Sequence, residues 1–169
     1  MNRYPASGML SYTYLESPIG PLFLAGDNAG MRQILFVNGR ATVGPLEGWR
    51  NDPASLSEAV RQLRAYFAGE LHEFDLPVAP EGTPFQLRIW RELQKIPYGE
   101  TMTYGELARR VGRPNASRAV GSANGANPIS IVIPCHRVIG SNGRLTGYGG
   151  GIEVKEKLLA LEKRQLLLL

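Results

Sequence analysis

The sequence predicts two unlike halves: an α/β N-terminal part and a mostly helical C-terminal part. Three observations predict this. Short alternating apolar runs, broken by turn residues, fill the first forty positions. A stretch with three prolines and no periodicity, "DLPVAPEGTP", interrupts the chain at residues 75–84. Beyond it the apolar residues recur at helical spacing. The expected boundaries are an N-terminal α/β domain over 1–76, a linker over 77–84, and a C-terminal domain over 85–169.

The opening "MLSYTYLESPIGPLFLAGDNAGMRQILFV" reads as hairpins punctuated by Ser-Pro, Gly-Pro and Asp-Asn-Ala-Gly. A helix follows, with Asp52 as N-cap, Pro53 in its first turn and Gly69 at its end. Leu56, Val60, Leu63 and Phe67 give it an apolar face to lay on the sheet. A second helix starts at Thr83 and Pro84 and stops before Pro97, with Phe85, Ile89, Trp90 and Leu93 on one side. In "TYGELARRVG", Thr103 and Glu106 have the spacing of a capping box, and Gly112 suits a left-handed stop. "NASRAVGSANG" restarts with Asn115 as N-cap and ends near Gly125. Two short helices about a tight turn form a helix-turn-helix. The second carries Arg118, Ser122 and Gly125 on one face. The terminal leucines are expected to be frayed or docked.

Composition excludes several classes. With 43% hydrophobic and 20% charged residues the chain is ordinary for a globular protein. No apolar run reaches the roughly 18 residues of a membrane span, so a cytoplasmic location is expected. A lone cysteine forms no internal disulfide, and one cysteine with two distant histidines makes a metal cage unexpected. Charge is uneven. Six Lys and Arg face nine Asp and Glu before Phe85, against thirteen and six from Phe85 onward. A basic second half points to an anionic partner.

The chemistry concentrates in "SIVIPCHRVIG". Ile131, Val132 and Ile133 read as a short buried strand, and Pro134 argues against a helix through the segment. Cys135, the only cysteine, is followed by His136 and Arg137. An isolated buried cysteine is an ordinary small hydrophobe. A reactive one needs a group to take its proton, since a thiol with pKa near about 8.5 reacts as thiolate. The adjacent imidazole can do this directly or through a water. A carboxylate should orient the imidazole, and Glu153, Glu156 and Glu162 on the last helix are candidates; Glu162 shares a heptad-like face with Leu158 and Leu159, which would turn it inward. "GSNGRLTGYGGG" then places six glycines around Tyr148, a loop suited to walling a flat ligand.

"IPYGETMTYGELA", "ASRAVGSANGANP", "NPISIVIPCHRVIG", "GYGGG" and "KEKLLALE" together resemble the O6-alkylguanine-DNA alkyltransferases, strongly over residues 84–163. "SPIGPLFLAG" and "AYFAGE" extend the likeness to the first half. The resemblance implies a ribonuclease-H-like α/β domain followed by a winged-helix-like domain. It implies DNA repair: a flipped O6-alkylguanine, and probably O4-alkylthymine, gives its alkyl group irreversibly to Cys135, once per molecule. His136 would take the thiol proton through a water, oriented by Glu162. Tyr104 would donate to the guanine ring nitrogen, and Asn127 would tie the helix-turn-helix to the active-site loop. Tyr148 and the Gly149 N–H would bound the base. Arg118 would fill the gap left in the duplex. Tyr104, Gly105, Arg113, Ser122, Ala123 and Ser141 would complete the minor-groove and phosphate contacts. The implied partner is double-stranded DNA carrying O6-alkylguanine, bound by a monomer, with cooperativity along the strand left open. No cofactor and no metal are implied, because the cysteines and histidines that hold zinc in some relatives are absent here. A thiol at position 135 argues for transfer rather than for lesion sensing alone.

Overall fold

The computed structural model describes residues 7–39 and 41–167. Strands β1 (Ser11–Leu15), β2 (Leu22–Asp27) and β3 (Gly30–Phe36) form an antiparallel meander, and β4 (Arg50–Asn51) pairs parallel with β1, in the order β3-β2-β1-β4. β2 reads "LFLAGD" without alternation because both of its faces are covered. Leu22 and Leu24 enter the main core, while Phe23 and Ala25 join Leu10 and Trp49 in a small cluster on the other face. The Trp49 indole stacks on Phe23 and donates to the Gly8 carbonyl.

Helix α1 (Ser57–Phe67) lies on the main face. A short 3-10 turn precedes it, and Asp52 accepts from Ser55 N–H there. The aspartate therefore bonds into this turn, whose N-cap is Pro53, and is not the N-cap of α1, which is Leu56. Leu56, Ala59, Leu63 and Tyr66 are buried, with Val60 and Phe67 only partly so, and the inward face is rotated from the expected one. Gly69 closes the helix at φ +76°.

The proline-rich stretch does not hang free. Pro77 and Ala79 exchange backbone hydrogen bonds with Met31 at the outer edge of β3. Further along the same edge, Ile34 N–H donates to Pro128 O and Ser130 N–H donates to Ile34 O. Both segments cover an otherwise open sheet edge. The second one brings the approach to Cys135 onto the N-terminal sheet, and the main core runs without interruption from Leu15 to Leu158.

The C-terminal part comprises α2 (Pro84–Leu93), β5 (Met102–Thr103), α3 (Tyr104–Arg110), α4 (Ser117–Gly125), β6 (Val138–Ile139) and α5 (Ile152–Leu167), with β5 parallel to β6. Thr83 and Thr103 each close a capping box, with Gln86 and Glu106 respectively. Trp90 at the centre of α2 donates to Ala123 O of α4, fixing the helix-turn-helix on its support. Gly112 takes φ +71° in the turn. Asn115 does not cap α4. Ala116 N–H closes a turn onto Arg113 O, so the helix begins one residue later than expected, with Ala116 at its N-cap and no side-chain cap. α5 runs to Leu167; Leu168 and Leu169 lie outside the described residues. Among the described residues no helix is long and apolar enough to cross a membrane.

Candidate active site and nucleic-acid interface

The segment 128–138 turns sharply rather than running as a strand. Ile129 and Ser130 lie against β3, and Ile133 N–H returns to Ile129 O. Ile131 within this loop has φ +74°, an unfavourable conformation for a β-branched residue, which its burial and the surrounding hydrogen bonds impose. Pro134 forms a tight turn in which Cys135 N–H donates to Ile133 O, and Cys135–Arg137 make one 3-10 turn. The strand expected over 131–133 is therefore a loop, because its backbone groups bond within the segment.

Asn127 holds this loop from inside. Its amide donates to Ile133 O at 2.8 Å and its carbonyl accepts Ile129 N–H at 3.0 Å. Asn124, on α4, donates to Cys135 O at 3.3 Å. Both asparagines are buried, so the helix-turn-helix and the cysteine are mechanically one unit.

Of the three side chains of the 3-10 turn, His136 and Arg137 converge on Glu162, while Cys135 does not bond to it. Cys135 is 5% exposed. Burial pushes its thiol pKa up, against the pull of the Asn127 amide, the Lys155 ammonium and the Tyr148 hydroxyl. His136 is fully buried, with Nε2 2.7 Å from Glu162 Oε1. Burial alone would raise the Glu162 pKa, but hydrogen bonds and charge from His136 and Arg137 bring it down to about 2. The carboxylate is thus ionised and acceptor-only, so Nε2 carries the imidazole proton and Nδ1 carries the lone pair. Burial also holds the His136 pKa down, which keeps the ring neutral and able to accept a proton at Nδ1. Nδ1 has no hydrogen-bond partner among the described residues. Arg137 grips Glu162 with two bonds of 2.9 Å, from Nε and Nη2, and reaches Ile96 O with Nη1.

Of the three carboxylates that spacing allowed, Glu153 and Glu156 are exposed and Glu162 is buried. The inward stripe of α5 is Lys155, Leu158 and Glu162. Lys155 donates to the carbonyls of Val138 and Thr146, and its charge acts on the Cys135 thiol. Sequence reasoning missed it, as it missed Asn124 and Tyr66, since a lysine among charged neighbours reads as solvated.

Next to this cluster lies an open cavity of about 430 Å³ lined by Tyr104, Ser117, Arg118 and Gly121 from the helix-turn-helix and by Thr146, Tyr148 and Gly149 from the glycine-rich loop, among others. Cys135 does not line it. Tyr148 lies between the two, lining the cavity, with its buried hydroxyl near enough to the thiol to draw the thiol pKa down. The Thr146 hydroxyl donates to Tyr104 Oη at 3.4 Å across the mouth. Arg118, Ser122 and Gly125 are exposed on α4 as expected. Ala123 is not on that face. It is 3% exposed and packs into the core, because α4 turns it toward Trp90. Ser141 and Arg113 are exposed but lie outside the cavity lining, as does Gly105 at the start of α3; Arg113 lies over the Phe85 ring.

A meander sheet with its helix, joined to a helix-turn-helix that shares a wall with a buried Cys-His-Glu cluster, defines a two-domain protein of the nucleic-acid-modifying kind. Comparison with known proteins makes the class specific. The 6-O-methylguanine DNA methyltransferase DNA binding domain matches residues 84–164, and the ribonuclease-like domain of the same proteins matches residues 10–80. The chain belongs to the 6-O-methylguanine DNA methyltransferase family. It is 55% identical over 151 residues to the methylated-DNA–protein-cysteine methyltransferase of Methanosarcina acetivorans, covering 89% of this chain and 97% of that one. The Mycobacterium tuberculosis protein of the same name is 54% identical over 156 residues, covering 92% and 93%. The crystal structure of M. tuberculosis OGT in complex with DNA superposes with a TM-score of 0.86 at 52% identity, covering 92% of this chain and 94% of that one.

Proposed function

We infer that this protein repairs DNA by moving the alkyl group of O6-alkylguanine onto Cys135, and that each molecule does so once. The observation that carries this is the Cys135–His136–Glu162 cluster, held by Asn124 and Asn127 to a helix-turn-helix whose exposed face and cavity are continuous. DNA in complex with the M. tuberculosis OGT supports the same partner.

His136 Nδ1 takes the thiol proton, through one water if the atoms do not meet directly, and the Glu162 carboxylate stabilises the imidazolium that results. The sulfur attacks the alkyl carbon in line with the C–O6 bond. The S–C bond forms, the C–O6 bond breaks, and its electron pair stays on the guanine. The Tyr104 hydroxyl, at the cavity wall, donates to the ring nitrogen as that charge develops. Lys155 stabilises the thiolate before transfer. Thioether formation leaves no group to release, so a chain is spent after one event.

The lesion must leave the duplex to reach a cavity bounded by Tyr148 and Gly149. The small exposed residues Ser122 and Gly125 suit close approach of α4 to a minor groove. Arg118 at the cavity mouth occupies the space the base vacates. Arg113, Gly105 and Ser141 contact the backbone. O4-alkylthymine is a second substrate, and the site requires neither cofactor nor metal. The chain acts in the cytoplasm. Arg118→Ala is expected to slow repair in duplex DNA more than transfer from free O6-benzylguanine; equal losses on both would remove Arg118 from the flipping role.

The test is intact mass after incubation with duplex DNA carrying O6-methylguanine, beside unmodified DNA and a Cys135→Ser chain. One added methyl group per chain, mapped to Cys135, is the expected result. Lesion binding without mass gain would make the protein a sensor. Restored guanine with unmodified protein would mean turnover and would end the thioether mechanism.

A further inference from the structure

Glu162 is held by both domains. Its Oε2 accepts from Arg137 Nε and from Gly99 N–H, and its Oε1 accepts from His136 and Arg137. Those groups all lie in the C-terminal half. One further donor does not. The hydroxyl of Tyr66, on α1 of the ribonuclease-like domain, donates to the same Oε1 at 2.8 Å.

We propose that Tyr66 is a positioning residue for alkyl transfer, through which the N-terminal domain sets the orientation and proton affinity of the Glu162–His136 pair. This rests on the reading of His136 as the base. The Tyr66 side chain is fully buried, and its ring is fixed between Phe67, Phe74 and Tyr98, with centroids 5.3, 5.4 and 6.1 Å away. A phenol so placed has one rotamer and one acceptor. Burial and the neighbouring carboxylate push its pKa well up, so it stays a neutral donor across the working pH range.

Oε1 is the oxygen that faces His136. Its charge is shared among Tyr66, Arg137 and the imidazole N–H. Each donor that shares this charge weakens the pull of Oε1 on the imidazole proton. Removing the phenol hydroxyl leaves more of that charge to the imidazole, so His136 becomes more basic and is protonated at higher pH. It also removes the only N-terminal-domain bond fixing the rotation of the carboxylate among those described here. The bond also gives the sheet-bearing domain a direct contact with the catalytic carboxylate, although among the described residues none of that domain's side chains lines the lesion cavity.

Tyr66→Phe keeps the ring and deletes the hydroxyl. Single-turnover transfer from O6-benzylguanine, followed across pH about 5 to 9, separates chemistry from folding. Because each chain reacts once, the amplitude counts folded molecules and the rate constant reports chemistry within them. The expected result is a plateau rate constant lowered roughly fivefold to tenfold, as for loss of one buried charge-assisted hydrogen bond. The midpoint of the acid limb should move upward as well. A lower amplitude with unchanged rate constant and midpoint would make Tyr66 a folding residue only and overturn the proposal. Should Tyr66→Phe not fold, 3-fluorotyrosine placed at position 66 keeps the shape and strengthens the donor. It should move the acid limb downward, and an unmoved limb would again overturn the proposal. A wild-type chain that transfers nothing would instead sink the alkyl-transfer reading itself.

Discussion

Arg137→Met tests how far the buried carboxylate depends on its guanidinium. The arginine makes two 2.9 Å bonds to Glu162 and one of 2.7 Å to Ile96 O, with its Cζ 5.7 Å from the centroid of the Tyr98 ring. Methionine keeps much of the apolar stem and removes the charge. A buried ion pair broken from one side typically costs about 3–5 kcal/mol, because the remaining charge stays buried with fewer partners. For a chain of this size each kcal/mol moves the melting midpoint by about 2–4 °C, so a fall of about 6–20 °C is expected. The sign of the pH dependence follows from Glu162, whose folded pKa is depressed to about 2 from an ordinary 4.5. Its contribution is complete above 4.5 and is lost as pH falls toward 2. Without Arg137 the depression is smaller, so the gap between wild type and variant should be widest at neutral pH and narrow through that window. Urea unfolding at several pH values, with m held common, measures it. A loss below about 1 kcal/mol at neutral pH, or a gap that widens on acidification, would refute the reasoning.

Other outcomes follow from the same geometry. Lys155→Met should slow benzyl transfer severalfold at neutral pH and recover partly as pH rises, since removing the ammonium pushes the Cys135 thiol still higher; a pH-independent loss would assign Lys155 to loop support alone. Gly39→Ala would set a Cβ 2.6 Å from Gly149 O, a backbone atom that no rotamer change can move; lower thermal stability and slower transfer are expected together, read by melting and single-turnover rates. Wild-type transfer should persist to about pH 6, where an exposed imidazole of pKa about 6.5 would be mostly protonated, because burial holds His136 below that value. An acid limb centred above 6.5 would contradict this.

Local rules made much of the chain legible. The Thr103–Glu106 capping box, the Thr83–Pro84 helix start and the left-handed Gly69 and Gly112 are all as the sequence states them, because each is settled by hydrogen bonds or sterics within a few residues. The same locality explains the misses. Asn115 had the chemistry of a cap, but the preceding turn through Ala116 delayed the helix. Ile131–Ile133 had the composition of a strand, but Val132 and Ile133 N–H bond back to Ser130 and Ile129, and Asn127 takes the Ile133 carbonyl. Ala123 was a groove contact only by family resemblance, off the Arg118–Ser122–Gly125 face, and α4 turns it inward toward Trp90.

What the sequence determined by itself is the order of elements and the chemistry of "PCHRVIG", since both depend on neighbouring residues. What only the tertiary structure decided is convergence. Spacing only leaned toward Glu162 over Glu153 and Glu156, and it was the packing of α5 that buried the one and exposed the other two. Nothing near Lys155 announces a buried ammonium, and nothing near Tyr66 announces a donor to a carboxylate 96 residues away. Periodicity shows which side of a helix is apolar, but the partner of a polar group on that side is fixed only when distant segments pack together and water is excluded.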